Sequence, residues 1–167
     1  IRMDPQDAYG SIWFHMGPYG AILVIYSHMS GALTIPIYPL TPIPISDCQV
    51  VIEAVFEDRG LKATVTKESE TVMAKDAVYA SNTSTLPITG LAEAAERPEN
   101  FIGLHFFSPV DKMPLVEIIV GEKTSDHAIA ACIDYTLKIG KTPIVVNDGR
   151  GFYTSRVFST YIFEGLE

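Results

Sequence analysis

The sequence predicts an α/β protein with a mostly parallel sheet, and three observations carry that prediction. From Asp47 onward, short apolar runs rich in Val and Ile alternate with stretches whose apolar residues recur at helical spacing. Pro, Gly, Asn and Ser punctuate the boundaries between them. The chain has 167 residues and is 47% hydrophobic and 19% charged. A domain of that size buries roughly 70% of its unfolded surface, enough for a core. Strands that alternate with helices need crossover connections, which are right-handed in a parallel sheet.

Each element has its own signal. Residues 49–55 are nearly continuous in Val, Ile and Ala, as in a strand buried on both faces. Residues 59–74 read as a helix with Leu61, Val65 and Val72 on its apolar side. A second strand covers 76–80 and ends at Ser81-Asn82-Thr83-Ser84. Residues 87–95 form a short helix: Pro87 suits the first turn, Ile88, Leu91, Ala92 and Ala95 form the stripe, and Pro98 stops it. A third strand, 101–104, ends at His105, and a fourth covers 115–120. Ser125 caps a helix with Ile129, Cys132, Ile133 and Leu137 inward, and Gly140 ends it. Residues 142–146 are a fifth strand, 147–149 a turn, and a last helix opens at Phe152 with Val157, Phe158 and Tyr161 on one side.

The first 46 residues read differently. Residues 1–47 carry only Arg2, Asp4, Asp7 and Asp47 as charges, and 35–44 contain a proline every two or three positions. Such a stretch is extended or irregular chain. No clear 3.6 or 2.0 period precedes it. Two readings stand: a poorly folding leader, or a segment foreign to the fold that follows, as in a fragment or a frame error.

Composition excludes several classes. Twelve Lys+Arg against 20 Asp+Glu, a net charge of −8, argue against a nucleic-acid partner. The longest uncharged apolar run considered for a membrane, 21–26, is far too short to span one. No basic stretch precedes an apolar run at the N-terminus, so no targeting segment is read. Cys48 and Cys132 lie far apart with no CxxC, which reads as two buried thiols in a reducing compartment and no metal site.

In an open α/β sheet, ligands bind beyond the carboxyl ends of the strands. The 53–57 stretch, the 81–84 stretch and His105 therefore converge on one edge. His105 is either a satisfied structural histidine or a general base. Glu117, twelve residues on, favours the second if the 106–114 connection returns the chain, because a carboxylate on one ring nitrogen sets the tautomer. Ser84, His105 and Glu117 also suggest a serine-hydrolase triad, but no GxSxG elbow surrounds Ser84. The alternative for 81–85 is a turn whose Asn82 and Ser84 cap the next helix. No G-x-G-x-x-G occurs, and Gly149-Arg150-Gly151 follows the wrong strand to serve as a phosphate loop.

Five motifs then carry a resemblance. They are Val51-Ile52-Glu53-Ala54-Val55-Phe56-Glu57, Ala80-Ser81-Asn82-Thr83-Ser84-Thr85, Gly103-Leu104-His105-Phe106-Phe107-Ser108-Pro109, Met113-Pro114-Leu115-Val116-Glu117-Ile118-Ile119 and Gly140-Lys141-Thr142-Pro143, continued by Gly151-Phe152 and Arg156. Residues 47–167 resemble the NAD-dependent L-3-hydroxyacyl-CoA dehydrogenases of fatty-acid β-oxidation, in particular the dehydrogenase part of the multifunctional α-subunit.

The resemblance implies a doubly wound, Rossmann-like sheet that is incomplete at its N-terminal side. It divides the chain into an atypical segment (1–46), the C-terminal part of an NAD-binding domain (47–150) and the first helix of a C-terminal helical domain (151–167). It implies His105 as general base, Glu117 as its orienting partner, and Ser84 at the substrate and near the cofactor. Glu53, Val55, Phe56, Glu57, Lys62, Asn82, Ser84 and Ser108 match the NAD-binding side, and Ser155 the substrate side. Ser108 and Ser155 stand where many members carry Asn. The implied reaction oxidises an L-3-hydroxyacyl-CoA to the 3-ketoacyl-CoA, with an acyl-CoA substrate and a homo-oligomer or β-oxidation complex as setting. The implied location is the bacterial cytoplasm, or the mitochondrial matrix or peroxisome in a eukaryote. An inactive α/β binding or assembly module of the same descent is the alternative, because the glycine-rich loop is missing.

Overall fold

The computed structural model describes residues 11–17, 20–26, 46 and 48–166, the first two stretches by backbone alone. The elements run β1 (Ser11–Gly17), β2 (Gly20–Tyr26), β3 (Val50–Val55), α1 (Arg59–Glu70), β4 (Val78–Ser81), α2 (Ile88–Ala92), β5 (Phe101–Phe106), β6 (Leu115–Val120), α3 (Asp126–Lys138), β7 (Thr142–Asn147) and α4 (Thr154–Glu164). One sheet takes the strands in chain order. β3, β4 and β5 are parallel, as are β6 and β7, while β5 and β6 are antiparallel. Over β3–β7 this is the mostly parallel sheet that the alternation predicts, in keeping with the Rossmann-like form that the resemblance implies.

The strand pleat divides the core in two. Val51, Tyr79, Phe101 and Ile119 face one side, under Ile88, Leu91 and Ala92 of α2. Val50, Ile52, Val78, Ala80, Ile102, Leu104, Val116 and Ile118 face the other, under Ala128, Cys132 and Tyr135 of α3. Gly103 lets α2 approach the sheet: a Cβ there would lie 2.8 Å from both Ile119 Cβ and Ile88 Cδ1. Gly140, at φ +72°, ends α3, with its N–H on the Leu137 carbonyl and the Lys141 N–H on the Thr136 carbonyl. Cys48 and Cys132 are both buried, and burial pushes the Cys132 thiol up to about 12.

Several expectations need correction. Residues 11–17 and 20–26, for which the sequence shows no clear period, pair as an antiparallel hairpin, and β2 lies antiparallel on β3. Ladder pairing satisfies backbone groups and does not require side-chain alternation. The proline-rich 35–44 stretch lies outside the described residues. On α1, Val72 is exposed and falls beyond the helix, while Lys62, Val65, Thr66 and Ser69 form the buried side. On α3, Leu137 is exposed, and Tyr135 and Thr136 are buried instead. The physical reason on α1 is a buried counter-charge for Lys62, described below. β5 runs to Phe106, so His105 lies within the strand rather than after it.

Candidate active site

β3, β4 and β5 open their carboxyl ends on one edge of the sheet. After β3 the Asp58 N–H bonds the Phe56 carbonyl at 2.7 Å, and the Asp58 carboxylate accepts the Leu61 N–H at 2.7 Å to cap α1. That tight turn leaves Phe56 exposed and sets Glu57 facing the end of β4. The Glu57 carboxylate accepts from the Ser84 N–H (2.6 Å), the Ser84 hydroxyl (3.2 Å) and the Thr83 hydroxyl (2.8 Å), with the Lys62 ammonium 3.6 Å away. Burial pushes the Glu57 carboxyl up. The Ser84 and Thr83 donors and the Lys62 charge outweigh it and hold the group below the usual carboxylate range.

Beneath Glu57, Lys62 and Glu53 form a buried pair. The ammonium lies 3.0 and 3.1 Å from the two carboxylate oxygens and also donates to the Val55 carbonyl at 3.2 Å. Glu53 further accepts from the Ser81 hydroxyl and, at 3.0 Å, the Val55 N–H. Buried charges persist when every donor and acceptor is met, as here. Glu53 and Lys62 are 1% and 2% exposed. They therefore lie beneath this sheet edge and offer almost no surface of their own.

His105 and Glu117 stand directly opposite each other in the β5–β6 register, brought together by the 107–114 connection. His105 Nδ1 is 2.9 Å from Glu117 Oε2, and both residues are buried. The other carboxylate oxygen accepts the Tyr153 N–H at 3.1 Å and the Thr154 N–H at 2.8 Å, at the start of α4. Burial pushes the Glu117 carboxyl up, but the His105 bond and the Thr154 N–H hold it below the usual range. An ionised carboxylate only accepts, so Nδ1 carries the proton in this bond, and in the neutral ring Nε2 is then the acceptor. This is the protonation pattern of a general base. The Phe107 and Phe152 rings pack at 4.5 and 5.9 Å from the imidazole.

The remaining candidates fall into place around these two clusters. Ser84 is exposed and its hydroxyl bonds Glu57 rather than His105, so the structure shows no Ser–His–Glu triad. Asn82 Oδ1 accepts the Phe106 N–H at 2.9 Å, tying the end of β4 to the residue after the histidine. Neither Asn82 nor Ser84 caps α2. Thr83 accepts the Leu86 N–H, and Asp148 accepts the Ile88 and Thr89 N–H groups from across the fold. Val55 is buried, Ser108 is exposed in the 107–114 connection, and Ser155 is half-buried in the first turn of α4. Neither serine bonds the dyad or the Glu57 cluster. The sequence reading did not single out Ser81, Thr83 or Phe152 as site residues; hydroxyls next to a strand end were the only signal for the first two.

The family described as 3-hydroxyacyl-CoA dehydrogenase, NAD binding domain, matches residues 42–149, more than half of the chain. The chain belongs to this family. It is 55% identical over 120 residues to the fatty acid oxidation complex subunit alpha of Shewanella loihica, and 54% identical over 123 residues to that of Shewanella halifaxensis. These matches cover 72% and 74% of this chain and 17% of each relative. Among solved structures it is similar to (S)-3-hydroxybutyryl-CoA dehydrogenase from Ralstonia eutropha (TM-score 0.68, 37% identity, 74% of this chain and 46% of that one). It is also similar to 3-hydroxybutyryl-CoA dehydrogenase from Escherichia coli (TM-score 0.71, 32% identity, 75% and 27%). The likeness to these dehydrogenases places the Glu57–Ser84 edge and the His105–Glu117 pair in an NAD-binding domain. No described helix is long and apolar enough to cross a membrane.

The exposed groups along this edge are of the kind that can hold part of an NAD molecule. Exposed Phe56, the partly exposed Glu57 carboxylate and exposed Ser84 form an apolar and polar rim of the kind a nicotinamide and its ribose need. The chain contains no G-x-G-x-x-G turn for the pyrophosphate.

Proposed function

We propose that this domain serves the NAD-dependent oxidation of L-3-hydroxyacyl-CoA to 3-ketoacyl-CoA in fatty-acid oxidation. The observation that carries the reading is the buried His105–Glu117 pair, bonded through Nδ1, with Glu117 held on its other side by backbone amides. His105 Nε2 takes the proton of the substrate's 3-hydroxyl. Glu117 holds the ring and stabilises the imidazolium that forms. Phe56, Glu57, Ser84 and Ser108 hold the cofactor, and Ser84 and Ser155 the substrate. Val55 and Asn82 shape that edge from within, and Glu53 and Lys62 support Glu57 from below. When bound, NAD supplies the hydride acceptor for C3. The relatives' name supports work within a fatty acid oxidation complex. An acyl-CoA substrate, a homo-oligomer and a bacterial cytoplasmic setting complete the proposal.

A second reading, an inactive binding or assembly module, draws on two observations: β2 lies antiparallel on β3, and the sequence has no glycine-rich turn. One experiment tests whether residues 47–167 keep competent chemistry once a glycine-rich turn is supplied. Residues 47–167 replace the matching segment of the Ralstonia eutropha dehydrogenase, and acetoacetyl-CoA reduction by NADH is followed. We expect turnover, and a loss of about 10²–10⁴-fold in His105→Gln with NADH binding retained. If the chimera carrying His105→Gln binds NADH and turns over as fast as its parent, the histidine leaves the mechanism. A folded chimera with no turnover supports the inactive module.

A further inference from the structure

Glu117 is the acceptor of three donors from two directions, and one residue controls two of them. Gly151 and Phe152 sit at φ +77° and +49°, in the left-handed region, and the Phe152 N–H closes a turn on the Gly149 carbonyl at 3.0 Å. For glycine this costs little. For a bulky residue it is uncommon, and it persists where the surroundings over-determine it. The surroundings here do so twice. The Phe152 ring is 2% exposed and packs in the core with Ile119 and Val146, 5.9 Å from the His105 ring. The next two N–H groups, of Tyr153 and Thr154, both reach Glu117 Oε1.

We infer that Phe152 is a positioning residue of the His105–Glu117 pair, its left-handed backbone aiming two amides at one Glu117 oxygen and its buried ring walling the imidazole. This rests on the reading of His105 as the base. With Oε1 filled, the carboxylate cannot rotate about its own axis without losing two hydrogen bonds, so Oε2 is held on Nδ1. Without those amides Oε1 would lose both backbone donors inside the core, and the carboxylate would swing or take a proton. Either outcome loosens the tautomer on which Nε2 depends.

The test is nuclear magnetic resonance on the full 167-residue chain, reading the His105 ring nitrogens and the exchange of the Tyr153 and Thr154 amides. The wild-type chain is expected to show the Nδ1–H form and protection at both amides. Phe152→Gly, which accepts the same backbone, keeps that amide protection. Phe152→Val, branched at Cβ and averse to positive φ, exchanges both amides at least about tenfold faster and populates the Nε2–H form. A folded Phe152→Val chain with unchanged tautomer and protection overturns the assignment. Should that variant fail to fold, the wild-type amides decide: exchange at the unprotected rate overturns the assignment too. A wild-type His105 in the Nε2–H form overturns the base reading instead, so the two failures are distinct.

Discussion

Glu117 joins three parts of the chain through a single carboxylate: β6 carries it, β5 supplies His105, and α4 supplies two backbone donors. Its folded-state acidity has a consequence for stability. The group is held below its ordinary range, as is Glu57. A carboxyl depressed in the folded state contributes stability that is fully present above the unfolded value, about 4.3, and is lost as pH falls through the lower folded value. Denaturation midpoints should therefore be flat with respect to this group from pH 7 to about pH 5 and fall below that. In Glu117→Gln the fall should be shallower, because Gln does not titrate. Parallel curves for the two chains across the acid limb would show that Glu117 carries none of the acid sensitivity. The twelve-residue spacing between His105 and Glu117 suggested the pair, and the family resemblance implied it. Its third partner was not legible, because backbone N–H groups at a helix start leave no mark in the sequence.

The helices show where periodicity helps and where it misleads. α2 buries Ile88, Leu91 and Ala92 as its stripe predicts, because an apolar stripe on a short helix has one way to face a sheet. α1 does the opposite: its buried side is Lys62, Val65, Thr66 and Ser69. A hydrophobic pattern cannot announce a buried lysine whose partner, Glu53, sits on a strand nine residues earlier. The α2–sheet contact gives a second testable point. Gly103→Ala would place a methyl 2.8 Å from Ile119 Cβ, which is not a flexible chain end, as well as from Ile88. Overpacking of this kind costs about 1–3 kcal/mol, and urea denaturation should show a lower midpoint with unchanged slope. An unchanged midpoint would mean that α2 moves off the strand freely.

α4 buries no residue, and Val157, Phe158 and Tyr161 are 52%, 63% and 77% exposed. Apolar surface gathered on one helix is a site of association in water. Sedimentation velocity of the chain should show mass rising with concentration, and Phe158→Ser combined with Tyr161→Ser should shift it toward the monomer. A chain that sediments as a monomer throughout would contradict this. The other edge of the sheet carries the hairpin β1–β2 on β3, so the sheet is extended there by antiparallel pairing. The weak periodicity of residues 1–47 hid that hairpin, since edge pairing draws on backbone hydrogen bonds more than on side-chain pattern.

The sequence by itself determined the alternation of strands and helices from residue 49 and the sheet edge on which polar residues gather. These follow from local periodicity, cap and turn chemistry, and motif spacing, all of which act within a few residues. Only the tertiary structure decided that Lys62 and Glu53 neutralise each other under the surface, that Ser84 answers to Glu57 rather than to His105, and that α4 holds Glu117 from behind. Each of these depends on where a charge meets its partner across separate elements. Inside a core, an unmet charge or hydrogen-bonding group is costly enough to override the side that local hydrophobicity would choose to bury.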